Sequence, residues 1–194
     1  MGDDASSVHE ARDENPTVLL IIDMFSCWSF PDADKVLATA ADIAPRIAAL
    51  RARCRDAGVP VIYANDNEGR WRSDWQALMQ DARGGGGVGA HVATLLAPSP
   101  DDYFVLKPMH SAFFATPLHP LLQHLKARRL VLTGVTSDQC VLTTATDAKM
   151  RGFEVCVPRD AVGTQTQQRG EAAIAYFERV LLLQTPLADD VDLG

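Results

Sequence analysis

Residues 130–151 read LVLTGVTSDQCVLTTATDAKMR, and the two halves of this stretch follow different periodicities. Leu130 to Leu132 is an apolar run of strand length, closed at Gly134. Beyond it Val141, Ala145 and Ala148 recur at helical spacing. A buried strand, a tight turn and a helix therefore follow one another, with Cys140 in the helix's first turn. Backbone N–H groups there lack intrahelical acceptors and the helix dipole is positive, which favours a thiolate and predicts a lowered cysteine pKa. That is a nucleophile's position. It is equally a place for a small buried cysteine, since free cysteine is among the most buried residue types.

Two other strand candidates end in charge. TVLLII, residues 17–22, runs into Asp23, and YFVL, residues 103–106, runs into Lys107. Open parallel sheets place their sites at the C-terminal ends of strands, so one crevice can gather this carboxylate, amine and thiol. A lysine ending a strand otherwise extends to solvent. Further strands are expected over 59–64, 129–134, 153–157 and 180–183, and helices over 34–57, 73–82, 118–127 and 167–177. Pro45 is expected to kink the first of these or to mark a restart. Such alternation predicts an α/β fold, a three-layer α/β/α sandwich around a six-stranded parallel sheet.

The segments IIDM around Asp23, LKPMHSAF around Lys107, GVTSDQCVLTTATDA around Cys140 and RGFEVCVPRDAVG downstream together resemble the isochorismatase-like cysteine hydrolases. The resemblance spans about residues 17–183, and the Cys140 block is its most specific part. It implies a Rossmann-like strand order 3-2-1-4-5-6 and an Asp23–Lys107–Cys140 catalytic triad. It also implies a non-proline cis peptide between Val135 and Thr136, with the backbone N–H groups of Thr136 and Cys140 forming an oxyanion hole. Phe113, in the SAF motif, is implied as a pocket wall. The activity implied is hydrolysis of a small-molecule C–N bond (amide, ureido or carbamoyl) through a thioester. Hydrolysis of a vinyl ether, as by an isochorismatase, is the alternative, and a catalytically silent scaffold of the same fold is another. A dinucleotide-binding oxidoreductase is disfavoured, because no GxGxxG follows the first strand.

The loop MFSCWSFPDAD after Asp23 offers Phe25, Trp28 and Phe30 as pocket walls, although aromatic residues beside a core strand are commonly packing. Asn65 and Asp66 fall at the same end of the sheet as Asp23 and are candidates to orient that loop or the substrate. His110 is a further candidate substrate contact. The metal-dependent nicotinamidases of the same broad family take Asp and His ligands from the region of Asp66. Here the nearest histidines that follow are His91 and His110. A stable transition-metal site needs three or four ligands, so neither a metal nor another cofactor is expected.

Composition bounds the rest. The chain has 194 residues, 47% hydrophobic, with a net charge of −7. Residues 1–15 hold Asp3, Asp4, Glu10, Asp13 and Glu14 against Arg12 and show no apolar period. They read as a flexible acidic arm, and residues 16–194 as one hydrolase domain. Nothing in the body clusters Lys and Arg as nucleic-acid binding demands. No apolar run approaches a membrane span, and the polar start lacks a signal peptide's core, so a cytoplasmic location is the default. Four cysteines, at 27, 54, 140 and 156, form no CxxC; Cys54 and Cys156 read as structural. GGGGVG, residues 84–89, reads as a mobile surface loop and not a phosphate loop, because no Lys-Ser or Lys-Thr follows it. The partner expected is a small-molecule substrate. Relatives commonly assemble, which implies a homo-oligomer, with the Trp71–Trp75 region as one candidate interface.

Overall fold

TVLLII forms strand β1 (Thr17–Ile22), buried along its whole length because it lies at the centre of the sheet and is covered on both faces. The computed structural model describes residues 16–72 and 74–194; the acidic arm lies outside the described residues. Next come helix α1 (Ala33–Asp56), strand β2 (Val61–Asp66), helices α2 (Trp75–Gly84) and α3 (Gly87–Leu95), and strand β3 (Tyr103–Lys107). Helix α4 (Leu118–His124), strand β4 (Arg129–Val135) and helix α5 (Cys140–Met150) follow. Strands β5 (Glu154–Cys156) and β6 (Val162–Gly163) and helix α6 (Gln167–Arg179) complete the described set, apart from a 3-10 turn at Ala188–Asp190.

The pairings are parallel in the order β3-β2-β1-β4-β5, with β6 also on β4. Alternation along β1 divides the core. Leu19 and Ile21 point to the layer of α1, α2 and α3, while Val18, Leu20 and Ile22 point to the layer of α4, α5 and α6. The chain winds outward from β1 through β2 to β3 and then returns to β4 on β1's other side. The switch point therefore lies between the ends of β1 and β4.

Three local expectations are corrected. Residues 180–183 are not a strand: α6 runs to Arg179, Leu182 takes a left-handed φ of 54°, and the extended chain is reduced to a single bridge between Gln184 and Cys156. The sixth strand is Val162–Gly163, which continues along the edge of β4 where β5 stops, pairing with Gly134 and Val135. The glycine run is not a loop, since Gly84 ends α2 and Gly87 begins α3. Gly86, at φ 67°, makes the tight reversal between those helices, and Val92 and Ala93 bury α3 against the core. Pro45 does not interrupt α1, which is continuous through it. The Arg46 guanidinium donates to the Asp42 carbonyl in the adjoining turn.

Trp71 and Trp75 are both exposed, and Trp75 also stacks on Phe104 with ring centroids 5.6 Å apart. Among the described residues no helix is long and apolar enough to cross a membrane.

Candidate active site

β1 delivers Asp23 to the switch point. The residue turns out of the strand with a φ of 52°, and its N–H donates to the Ala64 carbonyl at the end of β2. One carboxylate oxygen accepts the Asp66 N–H at 2.7 Å, and the other lies 2.9 Å from Lys107 Nζ. Lys107 ends β3, two strands away, a distance of roughly 10 Å that only a long side chain can bridge. Its side chain is fully buried and does not extend to solvent. Nζ also lies 3.6 Å from Asp66 Oδ2, 3.3 Å from the Met109 carbonyl and 3.5 Å from Cys140 Sγ.

Cys140 opens α5, and its sulfur shares the Lys107 ammonium with the Asp23 carboxylate. Carboxylate, ammonium and sulfur thus meet at one point. Gly134 makes this approach possible: at φ 105°, any Cβ there would lie 2.0 Å from the Ile22 carbonyl oxygen. The following Val135–Thr136 peptide is cis. The Ser137 N–H donates to the Gly163 carbonyl of β6, and Asp138 accepts from Thr164 and Arg169, so the segment entering α5 is tied to the neighbouring elements.

The electrostatics differ from the expectation of a lowered thiol pKa. Burial pushes the Cys140 thiol up and the Asp23 charge adds to this, while Lys107 opposes both. Burial also raises the Asp23 carboxyl, against the pull of Lys107. For Lys107, burial works against the charge, but Asp23, Cys140 and Asp66 outweigh it and raise its pKa. The buried ammonium is therefore retained by the anionic groups around it.

A cavity of about 670 Å³ opens over Asp23 and Cys140. That volume lies within the roughly 300–1,000 Å³ usual for small-molecule sites. Phe25, Trp28, Asn65 and His110 all line it. Phe25 is core-packed, stacked on Tyr63 at 5.4 Å, and Asn65 clamps its backbone by accepting from its N–H and donating to its carbonyl. His110 Nδ1 stands 3.6 Å from Cys140 Sγ.

Phe113 does not line the cavity. Ser111 bonds to Asp147 and the Ala112 N–H to Thr144, which fastens this segment onto α5. Phe113 is thereby placed in the core of the α4–α6 layer, stacked on Phe153 with the Arg151 guanidinium over its ring. Asp66 serves as the second partner of Lys107, and among the described residues no group of three or more His, Cys, Asp or Glu is arranged to hold a metal.

Sequence reasoning did not find Glu68, Arg70, Gln139 or Gln165 in this wall. Glu68 accepts from Ser26 Oγ and the Cys27 N–H and pairs with Arg70, fastening the aromatic loop to the turn after β2. The Asn and Gly of Asn67-Glu68-Gly69-Arg70 are the local signal for this turn; nothing local signals the loop that it faces.

A carboxylate, a buried ammonium and a thiol at the switch point of a parallel α/β sheet define a class of site suited to nucleophilic chemistry on a small molecule. The chain belongs to the isochorismatase family: the model of the isochorismatase domain matches residues 17–186. It is 33% identical to the uncharacterized isochorismatase family protein YaaI of Bacillus subtilis over 89% of this chain and 94% of that protein. It is 30% identical to the maleamate amidohydrolase of Pseudomonas putida over 79% of this chain and 75% of the relative. Among solved structures, the nicotinamidase SaPncA of Staphylococcus aureus superposes with a TM-score of 0.67 at 25% identity, covering 88% of this chain and 96% of the other.

Proposed function

We propose that the protein is a cysteine hydrolase that cleaves a small-molecule C–N bond (amide, ureido or carbamoyl) through a thioester. The observation that carries this reading is the fully buried Lys107 ammonium, which touches both Asp23 (2.9 Å) and Cys140 Sγ (3.5 Å), two residues that line a cavity. The amidohydrolase and nicotinamidase among its relatives support the choice of bond.

In this mechanism Asp23 takes the thiol proton as Cys140 sulfur attacks the carbonyl carbon. Burial raises the Asp23 carboxyl, which makes it a stronger base for that proton. The tetrahedral oxyanion is held by the backbone N–H groups of Thr136 and Cys140, the latter in the first turn of α5, where N–H groups point away from intrahelical acceptors. Asp23 then gives its proton to the leaving nitrogen as the C–N bond breaks. A water molecule next loses a proton to Asp23 and attacks the thioester. The C–S bond breaks, the acid departs, and sulfur regains its proton. Lys107 holds Asp23 in place and lowers the energy of its ionised form.

The test is ammonia release from a panel of small amides and ureido compounds, comparing the wild-type protein with Cys140→Ala. The variant is expected to keep the circular dichroism spectrum and lose turnover. Undiminished turnover in a folded C140A variant overturns the mechanism. Turnover of a vinyl ether, with no amide cleaved, favours the isochorismatase-type alternative.

A further inference from the structure

Charge is unevenly distributed around the cavity. Asp23, Asp66 and Glu68 line it, and Asp81 stands behind Arg70. Lys107 is bonded to Asp23 and Asp66, and Arg70 to Glu68 and Asp81, so four carboxylates share two cations. Arg70 is the guanidinium in the wall, and both of its terminal nitrogens already face carboxylates. Lys107 is fully buried beneath Asp23. Asp66 remains 40% exposed. A substrate carboxylate entering here meets cations that are already matched, in a cleft whose walls strengthen like-charge repulsion. The other wall is apolar: Trp28 and Phe30 lie 6.2 Å apart between centroids, beside Phe25 and Val36. Aromatic faces accept flat apolar or cationic groups.

We propose that the cavity selects amides whose acyl part is flat and apolar and carries no negative charge, with Glu68 excluding anions by occupying Arg70. The substrate class rests on the C–N hydrolase reading above, but the charge preference is a property of the cavity and shows in binding as well as in turnover.

The experiment uses three ring-matched probes at pH 8: benzamide, 4-(aminomethyl)benzamide and 4-carboxybenzamide. Affinity is measured by titration calorimetry on full-length Cys140→Ser, and ammonia release on the wild-type protein. The neutral and cationic probes are expected to bind at least ~10-fold more tightly than the anionic one, and to show a matching kcat/KM ratio. Glu68→Gln removes one cavity carboxylate and releases one terminal nitrogen of Arg70, leaving Asp81 on the other, and is expected to shrink that ratio to about 3-fold or less, whereas Glu68→Asp, which keeps the charge, retains most of it. Equal or tighter binding of 4-carboxybenzamide, an unchanged ratio in E68Q, or no binding of any probe overturns the proposal. The expected binding preference without ammonia release from any probe leaves the charge selection standing and counts against the amide-hydrolase reading alone.

Discussion

Lys107 is the residue on which the proposed chemistry turns, because it is the cation that offsets burial of the Asp23 charge. Burial raises the Asp23 carboxyl, and Lys107 pulls it back toward the ionised form that a base requires. Activity that depends on ionised Asp23 is lost as pH falls through this raised pKa. Lys107→Met removes the counter-effect, so the carboxyl rises further and the acid limb of the kcat/KM profile moves to higher pH. The expected loss at neutral pH is about 10²–10⁴-fold, partly recovered in alkaline buffer. Asp23→Asn is expected to lose as much with no alkaline recovery. Full pH–rate profiles of the two variants test this, and a K107M profile with an unmoved acid limb contradicts the assigned role.

At the scale of elements, the site exists because β1 and β4 end side by side, and Gly134 sets how closely. A Cβ there meets the Ile22 carbonyl at 2.0 Å at a φ that L side chains rarely adopt. Gly134→Ala is expected to cost about 3–5 kcal/mol in urea unfolding, and to reduce turnover beyond what the lost folded fraction explains. Pro45 presents the opposite case. It is an exposed proline within a continuous helix, leaving α1 one donor short. Pro45→Ala is expected to stabilise the protein by about 1–3 kcal/mol, read from the urea midpoint, with kcat unchanged, since α1 carries none of the three side chains proposed to react.

For the molecule as a whole, the core stores protons. Cys54 and Tyr63 are buried in the α1–α3 layer, and burial raises both to about 12, from ordinary values of 9.0 and 10.0. In alkaline solution the unfolded chain has released protons that the folded chain still holds, so stability falls as pH rises between about 9 and 12. Cys54 alone is expected to contribute about 2–3 kcal/mol of loss between pH 8 and pH 11. The urea midpoint should drop over that range, and Cys54→Ala should flatten the slope even if it lowers stability at pH 8 by leaving a small void. A slope unchanged by C54A would show that the thiol is not the group responsible.

Much of this was legible in the chain, because periodicity is a property of neighbouring residues. The runs at 17–22, 103–106 and 130–132, alternating with helical segments, pointed to a parallel α/β sheet and put Asp23, Lys107 and Cys140 near strand ends, and the family resemblance implied that the three act together. Tertiary structure decided what depends on residues distant in sequence. Phe113 turned into the core because Ser111 and Ala112 found partners on α5, and Glu68 and Arg70 joined the pocket because the loop after β1 folds over the turn after β2. It also decided the direction of the cysteine's pKa. Helix position alone favours a thiolate, but the balance of burial, Asp23 and Lys107 around the sulfur exists only once three strands have brought those groups together.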